Sequence, residues 1–427
     1  MTTASAASTI RPAERLRGRL TMPSDKSIAH RALIFAALSG GPSSVIVRSP
    51  GRDVHSTIEC LRALGVSVDH SGEKHLVRGR PSRDAVLDCG NSGTTMRLLA
   101  GVVAGLPLTV TLDGDASLRS RPMERVATLL RAAGAQVTTT NGHAPITVVG
   151  RARLTPAAHR LPVSSAQLLG AAVLAGLSAN GVTTVDTPGP TRDHTERMLA
   201  NLGVPIHRDG GTTTVTGPAR PRPFEMTVPG DTSAASAWLV AAALHPDAQL
   251  TMVDVGLNPT RLALVGLLGR MGVEIRTRVR DVSGPEPVGE ITVRGGNPLR
   301  AVSFGGGEVA ELIDELPLVA VAMASVEEPS EVRDAGELRV KETDRIAALV
   351  AGLEAIGADV EERPDGWRVR RGLARDARIT THGDHRIAIA FAVAGLTGVA
   401  SAVELDDPDC VDVSYPDFWR DLAAVRE

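Results

Sequence analysis

Apolar and polar positions alternate in two distinct patterns along this chain. In the first pattern, a short polar or acidic opening leads into a segment that is apolar on nearly all sides, which is typical of a buried helix. Six such segments are predicted: Ser24–Leu38, Asn91–Ala104, Ser164–Leu177, Gly230–Leu244, Ile313–Ala324 and Gly383–Leu396.

The second pattern is an amphipathic helical segment that ends at a glycine and continues into a strand-like alternating run. The terminal glycines are Gly65, Gly134, Gly203 and Gly272, at intervals of 69 residues, and then Gly357 after a further 85. Glycine is the usual residue just beyond a helix C-terminus. The regular spacing predicts six repeats of about seventy residues, each with strands, one buried helix and one amphipathic helix.

Six repeats of this size most simply form two α/β domains of three repeats each. The Pro229-Gly230 pair between the third and fourth segments indicates a hinge. We therefore predict domain I from residues 1–22 plus 230–427 and domain II from residues 23–229. The strand Leu16–Met22 is expected to pair with the second half. Two hinged domains predict a cleft that closes on a ligand.

Composition narrows the classes of protein and partner. The 427 residues are 43% apolar and carry a net charge of −3 without a basic run, which argues against nucleic acid as the main partner. No apolar run reaches the 18 or so residues of a membrane span. The cysteines, at positions 60, 89 and 410, lack a metal-ligand spacing and favour a reducing compartment. The first ten residues contain no apolar signal segment, so a cytoplasmic enzyme is expected.

Only three of the 46 basic residues are lysines, namely Lys26, Lys74 and Lys341. The chain uses arginine almost wherever a positive charge suffices. A retained lysine is therefore a candidate for chemistry that arginine performs poorly, such as proton transfer.

Charged and polar residues cluster where the predicted helices begin. Lys341, Glu342 and Arg345 precede the amphipathic segment that ends at Gly357, and similar clusters open four of the buried helices. Free backbone N–H groups make helix N-termini sites for anions. Ordinary helix capping remains open as the alternative at any single opening. Because neither a P-loop nor a Rossmann fingerprint occurs, the clusters together predict an enzyme that acts on phosphorylated or carboxylated small molecules.

Eight motifs in order carry a resemblance to a known family. They are Pro23–Arg31, Gly90–Arg97, Ser165–Gln167, Arg192–Met198, Asn258–Arg261, Ile313–Pro317, Leu338–Arg345 and Gly383–Arg386. Together they resemble the 5-enolpyruvylshikimate-3-phosphate synthase family. The resemblance implies an α/β fold of two inside-out domains, each with three βαβαββ units, helices inside and sheets outside. It also implies transfer of the enolpyruvyl group of phosphoenolpyruvate to the 5-hydroxyl of shikimate-3-phosphate, a shikimate-pathway reaction, by a monomer without cofactor or metal.

The resemblance also implies roles for residues of these motifs. Shikimate-3-phosphate would be bound by Lys26, Ser27, Arg31, Ser165, Ala166, Gln167, Thr191, Asp314 and Lys341. Phosphoenolpyruvate would be bound by Lys26, Gly93, Arg121, Gln167, Lys341, Arg345 and Arg386. Asp314 would accept the 5-hydroxyl proton, and Lys26, Lys341 and Glu342 would manage protonation of the methylene carbon and departure of phosphate. Arg345 is expected to bind a substrate carboxylate bidentately, through two guanidinium N–H groups. The implied inhibitor is glyphosate, and Gly93 is expected to leave open space beside the phosphoenolpyruvate site.

Some positions depart from the family pattern. Val413 stands where many relatives carry a lysine, Leu98 where many carry proline, and Glu337 where some carry asparagine. Asp25 and Ala166 match a branch typical of Gram-positive bacteria. These differences concern substrate contacts more than the reaction.

Two alternatives are weighed against this interpretation. A UDP-N-acetylglucosamine enolpyruvyl transferase would have a cysteine shortly before the Arg121-Pro122 pair, and Ala116–Ser120 contains none. Its first motif would also read Lys-Asn, where this chain has Lys26-Ser27. The second alternative is a paralogue that is non-catalytic or acts in secondary metabolism. Loss of catalysis is disfavoured because the chain retains Lys26, Asp314, Lys341 and Glu342.

Overall fold

The computed structural model describes residues 9–427, which form 22 strands and 14 α-helices. The strands are β1 (Leu16–Thr21), β2 (Ser43–Ile46), β3 (Ser67–Ser71), β4 (Lys74–Arg78), β5 (Ala85–Asp88), β6 (Thr109–Asp113), β7 (Gln136–Thr140), β8 (His143–Val149), β9 (Ala158–Arg160), β10 (Gly181–Asp186), β11 (Ile206–Asp209), β12 (Thr212–Gly217), β13 (Glu225–Thr227), β14 (Ala248–Gly256), β15 (Glu274–Asp281), β16 (Val288–Arg294), β17 (Ser303–Phe304), β18 (Ser330–Val332), β19 (Asp359–Arg363), β20 (Gly366–Arg370), β21 (Asp376–Ile379) and β22 (Ala402–Leu405).

The helices are α1 (Lys26–Leu38), α2 (Arg52–Ala63), α3 (Gly93–Ala104), α4 (Ala116–Ser120), α5 (Glu124–Ala132), α6 (Ala166–Gly176), α7 (His194–Asn201), α8 (Thr232–Leu244), α9 (Ala263–Arg270), α10 (Gly307–Leu312), α11 (Leu316–Met323), α12 (Arg345–Ala355), α13 (His385–Thr397) and α14 (Phe418–Val425). Short 3-10 helices occupy Pro259–Arg261, Gly336–Val340 and Pro408–Val413. Among the helices of residues 9–427, none has the length and apolar content needed to cross a membrane.

The chain divides into two compact units. Unit 1 contains the described residues up to Pro23, Gly230–Asp281 and Pro287–Glu427, and unit 2 contains Ser24–Pro229 and Val282–Glu286. The prediction had placed Pro23 in domain II and residues 282–286 in domain I. Residues 282–286 group with unit 2 because Glu286 is buried against His194, with Oε1 of the carboxylate 2.7 Å from Nδ1 of the ring.

Unit 2 has three sheets of four strands, in the orders β13-β2-β4-β3, β5-β6-β8-β7 and β9-β10-β12-β11. Each sheet begins with a parallel pair and continues with an antiparallel hairpin. The second and third sheets, with their helices, follow the chain order βαβαββ. The first sheet takes its fourth strand, β13, from the end of the unit.

Unit 1 repeats this arrangement with one difference. Its sheets have the orders β1-β14-β16-β15, β17-β18-β20-β19 and β21-β22. The predicted pairing of the N-terminal strand with the second half is confirmed, because β1 runs parallel to β14 from Leu16 opposite Ala248 onward. The last sheet has only two strands because the chain after β22 continues into the 3-10 helix Pro408–Val413 and α14.

The six predicted apolar helices lie in the cores. Helices α1, α3 and α6 belong to the core of unit 2, and α8, α11 and α13 belong to the core of unit 1. The glycines that follow the amphipathic helices all have positive φ, from 83° at Gly203 to 101° at Gly272. These helices therefore end where the sequence predicts, because glycine adopts this conformation without strain.

Candidate active site

Three buried helices of unit 2 begin with the residues of the predicted motifs. Lys26, Gly93 and Ala166 are the first residues of α1, α3 and α6. Each helix is capped by the preceding side chain: Asp25 accepts from the N–H of Ile28 at 2.9 Å, and Ser92 and Ser165 make the equivalent bonds. Capping uses only part of each N-terminus, so other N–H groups remain able to face an anion.

Arg31 joins the beginnings of two of these helices. Its Nη1 donates to the carbonyl of Ser27 at 2.9 Å and its Nη2 to the carbonyl of Ala166 at 3.3 Å. Its Nε donates to the hydroxyl of Thr195 at 2.8 Å. Burial lowers the pKa of Arg31 to about 10, against the opposing charge of Glu196. The guanidinium is still charged at neutral pH and is held rigidly between α1 and α6.

Arg97 and Gln167 connect α3 to α6. Nη1 of Arg97 donates to Oε1 of Gln167 at 2.7 Å, and Nε2 of Gln167 donates to the hydroxyl of Thr94 at 2.9 Å. Together with the Arg31 bonds, this contact brings the first turns of the three helices to the same end of unit 2. Residues of these motifs are therefore in direct contact within this unit, and the substrate site that they would share stays a prediction.

Gly93 does not border open space, which corrects the expectation from the sequence. A Cβ atom at this position would lie 2.6 Å from Nη1 of Arg97 and 3.4 Å from Nη1 of Arg121. The space is filled by the Arg97 guanidinium, which folds back over the first turn of α3 with Nη1 3.4 Å from the Gly93 carbonyl.

Arg121 follows α4 and is buried, with 8% of its surface exposed. Its Nη2 donates to Oδ1 of Asn91 at 2.6 Å and to the hydroxyl of Ser117 at 3.2 Å. These bonds fix the guanidinium beside the first turn of α3, near Gly93. Arg121, predicted as a cation on a turn, is thus held in place by hydrogen bonds.

Lys26 has a partner that the sequence did not reveal. Its Nζ lies 3.0 Å from Oδ2 of Asp53, in the first turn of α2. An acidic residue in a first helical turn is ordinary, so Asp53 carried no distinguishing signal. The ion pair fixes the ammonium at the beginning of α1.

Ser27 and Thr191 are the remaining predicted residues of unit 2. Ser27 lies in the first turn of α1 and is partly buried. Thr191 is buried just before α7, and its hydroxyl makes no hydrogen bond to any of residues 9–427. A buried hydroxyl without a protein partner can accept a ligand contact at low cost.

The predicted residues of unit 1 gather around Arg345, whose side chain is 1% exposed. Nε of Arg345 donates to Oδ2 of Asp384 at 2.7 Å, and Nη2 donates to Oδ1 of Asp384 at 3.2 Å and to Oε2 of Glu342 at 2.6 Å. Burial alone would lower the pKa of Arg345, but these two carboxylates raise it above its ordinary value. Asp384 thus occupies the two guanidinium N–H groups that the resemblance assigns to a substrate carboxylate, and no feature of the sequence indicates this pairing.

Asp314 lies between two guanidinium groups. Its Oδ1 is 3.9 Å from Nη1 of Arg345, and its Oδ2 is 3.9 Å from Nη2 of Arg386. Arg386 is placed in turn by its backbone N–H, which donates to Oδ1 of Asp384 at 2.9 Å. The carboxylate is partly exposed, at 23% of its side chain, so it can meet a substrate hydroxyl.

Lys341 follows the 3-10 helix Gly336–Val340 and is partly buried. Burial lowers its pKa below the ordinary value; the carboxylate of Asp314 opposes this shift and the charge of Arg345 adds to it. A lysine with a lowered pKa gives up its proton more readily than a solvated one. Val413, where a further lysine was expected, ends the 3-10 helix Pro408–Val413.

The described residues contain no group of three or more His, Cys, Asp or Glu side chains that could hold a metal ion. The site chemistry that the structure displays consists of ordered cations, helix N-termini and carboxylates.

The architecture is that of the enolpyruvyl transferases. The crystal structure of the enolpyruvyl transferase NikO from Streptomyces tendae has the same fold, with a TM-score of 0.75 and 22% identity over 98% of this chain and 96% of that one.

Closer matches define the family. A family model described as EPSP synthase (3-phosphoshikimate 1-carboxyvinyltransferase) matches residues 10–422. A 3-phosphoshikimate 1-carboxyvinyltransferase of Roseiflexus castenholzii is 47% identical over 97% of this chain and 98% of that protein. A solved EPSP synthase from Acinetobacter baumannii has a TM-score of 0.85 and 34% identity, covering 98% of this chain and 97% of that one.

The chain belongs to the EPSP synthase family. Membership confirms the resemblance carried by the motifs, the fold class and the activity of a 3-phosphoshikimate 1-carboxyvinyltransferase. It favours this activity over transfer to a UDP-sugar and over the paralogue alternatives.

Proposed function

We propose that the chain transfers the enolpyruvyl group of phosphoenolpyruvate to the 5-hydroxyl of shikimate-3-phosphate and releases phosphate. Family membership supports the reaction. The position of Asp314, 3.9 Å from each of two guanidinium groups, carries the assignment of roles. A carboxylate held in this way has a fixed position and is a candidate acceptor for a hydroxyl proton.

The charges of the proposed substrates match the clusters. Two phosphates and two carboxylates bring about six negative charges at neutral pH. The cations in the two clusters are Lys26, Arg31, Arg97, Arg121, Lys341, Arg345 and Arg386. Such cations would offset the mutual repulsion of the anionic substrates and allow the reacting atoms to approach.

In this proposal residues of both units bind the substrates, and residues of unit 1 carry most of the proton transfers. Shikimate-3-phosphate is bound by Lys26, Ser27, Arg31, Ser165, Ala166, Gln167 and Thr191, with Asp314 and Lys341. Phosphoenolpyruvate is bound by Lys26, Gly93, Arg121, Gln167, Lys341, Arg345 and Arg386.

Four side chains carry the proton transfers. Asp314 accepts the 5-hydroxyl proton as the oxygen attacks. Lys341, whose pKa is lowered, supplies the proton that turns the methylene carbon into a methyl group as the 5-oxygen adds to the adjacent carbon. Glu342 and Lys26 assist this protonation and then the removal of one methyl proton as the C–O bond to phosphate breaks, which restores the methylene group in the product.

A phosphate-release assay with alternative acceptors tests the proposed reaction. Phosphoenolpyruvate is supplied with shikimate-3-phosphate, with unphosphorylated shikimate, with UDP-N-acetylglucosamine or alone, and the product mass is read from the same mixture. We expect rapid phosphate release and an enolpyruvyl product only with shikimate-3-phosphate. Release with the UDP-sugar, or no release in any mixture, would contradict the proposal.

We further propose that the protein works as a monomer in the cytoplasm and that glyphosate inhibits it. The three cysteines are free and buried, which suits a reducing compartment. Gel filtration should give a mass near that of one 44.5 kDa chain, and cell fractionation should recover the protein with cytoplasmic enzymes. Glyphosate should compete with phosphoenolpyruvate in the phosphate-release assay.

A further inference from the structure

A buried network of polar side chains in unit 1 includes Glu315, the residue that follows Asp314 in the chain. Its members are Asp231, Ser233, Arg261 and Glu315, and each is less than a tenth exposed. They come from separate elements: Asp231 caps α8, Ser233 is in the first turn of α8, Arg261 ends a 3-10 helix, and Glu315 directly precedes α11.

The hydrogen bonds of this network have a defined direction. Nη2 of Arg261 donates to the hydroxyl of Ser233 at 2.6 Å and lies 3.8 Å from Oε1 of Glu315. The hydroxyl of Ser233 then donates to the same oxygen of Glu315. Because a serine hydroxyl has one proton to donate and can accept bonds as well, the three side chains form a relay from Arg261 through Ser233 to Glu315.

Stability is a weak explanation for burying the charges of this relay. A buried ion pair is often no more stable than apolar residues of the same volume, because both charges lose their hydration. The relay ends, however, at Glu315, the neighbour in sequence of the predicted catalytic residue Asp314. Glu315 is joined by a peptide bond to Asp314, and its own N–H donates to the carbonyl of Leu312 at 2.8 Å. Fixing the Glu315 side chain therefore fixes the turn that carries Asp314.

We propose that Arg261, Ser233 and Glu315 are positioning residues that hold Asp314 in place for proton transfer. This inference rests on the proposed function of Asp314 as the base. Its carboxylate lies 3.9 Å from Arg345 and 3.9 Å from Arg386, so a small rotation of the turn would change both distances. A misplacement of about 1 Å can cost about 100-fold in rate.

Two serines on the same helix give a matched test. Ser233→Ala breaks the relay. Ser236→Ala makes the same chemical change one turn later on α8, where the buried hydroxyl donates only to the carbonyl of Thr232, at 2.9 Å. Ser233→Ala should lower the melting temperature more than Ser236→Ala, because it removes hydrogen bonds from two buried charged groups, so kcat is compared at a temperature where both variants are folded. Only Ser233→Ala should lower kcat, by about 10-fold or more, with the KM of each substrate changed by less than about two-fold.

A second pair of variants keeps the test decisive if Ser233→Ala folds poorly. Glu315→Gln preserves the shape and one acceptor oxygen for Ser233, so it should keep kcat within about three-fold of the wild type, whereas Glu315→Met should lose about 10-fold or more. Equal kcat for these two variants would overturn the proposal. So would a wild-type kcat in folded Ser233→Ala, or an equal loss in Ser236→Ala.

Measuring Asp314→Asn in the same assay separates the positioning proposal from the proposed role of Asp314 as the base. A slow Asp314→Asn with a normal Ser233→Ala would overturn the positioning relay and leave the proposed base in place. A normal kcat in Asp314→Asn would overturn both.

Discussion

The guanidinium of Arg345 binds the carboxylate of Asp384 through two hydrogen bonds, from Nε to Oδ2 at 2.7 Å and from Nη2 to Oδ1 at 3.2 Å. Neither side chain is more than 1% exposed. Since Glu342 takes a further bond from Nη2, this fork is occupied by protein carboxylates. Arg345 therefore orders the cluster, and Nη1, which points toward Asp314, is the atom that we propose for phosphoenolpyruvate.

This pairing predicts a large and specific loss of stability in Asp384→Asn. Asparagine has nearly the same shape as aspartate and can still cap α13. Because it is neutral, the buried positive charge of Arg345 loses one of its compensating carboxylates. We expect the free energy of unfolding, from urea denaturation, to fall by roughly 3 kcal/mol, the lower part of the range for a broken buried pair because Glu342 remains.

The control for this variant is Asp359→Asn in the same unit. Asp359 pairs with Arg370 at 2.6 Å, but both side chains are more than half exposed. Its loss should cost less than about 1 kcal/mol. Equal losses of unfolding free energy in Asp384→Asn and Asp359→Asn would contradict the importance of the buried pair between Arg345 and Asp384.

A second prediction concerns Gly93→Ala, whose added methyl group would lie 2.6 Å from Nη1 of Arg97. The end of the flexible Arg97 side chain has to shift, and we expect its hydrogen bond to Gln167 to weaken. We therefore expect the KM for phosphoenolpyruvate and the inhibition constant for glyphosate to rise in steady-state assays.

A double-mutant cycle shows whether this effect passes through Arg97. In an Arg97→Ala background the methyl group has no guanidinium to displace, so Gly93→Ala should change KM much less than in the wild type. Strictly additive effects would show that the two residues act independently.

A third prediction uses the buried His30, whose Nδ1 lies 2.7 Å from the hydroxyl of Thr57. Burial lowers the pKa of His30 well below 6.5, and the charges of Lys26 and Arg31 lower it further. The folded state keeps this ring neutral, while the unfolded chain takes up a proton below about pH 6.5. Folding stability should therefore fall as pH drops below about 6.5, by up to about 1.4 kcal/mol per pH unit from this group.

Comparison with His30→Gln isolates this contribution. Urea denaturation of both proteins between pH 7.5 and 5 should show a shallower decline for the variant. Parallel curves would mean that His30 does not supply the slope.

The sequence predicted the parts of this molecule that depend on local pattern. The six buried helices follow from segments that are apolar on all sides, and the helix ends at Gly65 and Gly272 follow from a residue type that tolerates positive φ. The pattern did not predict that the last sheet has two strands. The segment after β22 differs from the corresponding part of the other repeats, so its structure could not be inferred from them.

Contacts between distant residues were not predictable in the same way. Asp53 and Asp384 stand in ordinary capping or first-turn positions, and only the fold shows that they pair with Lys26 and Arg345. The space beside Gly93 was misjudged because it depends on the rotamer of Arg97, which the sequence does not encode locally. Charged residues could be assigned to a site, but not to their partners within it.

The most direct measurement of the central claim is kcat of Lys341→Arg with both substrates saturating. The account assigns proton transfer to Lys341, so arginine, which keeps the charge but holds its proton, should lower kcat by about 100-fold or more. Lys74→Arg, on an exposed side chain 3.1 Å from Glu225, should leave kcat unchanged. A Lys341→Arg enzyme with near-normal kcat would contradict the proton-transfer role and leave Lys26 as the remaining lysine for that chemistry.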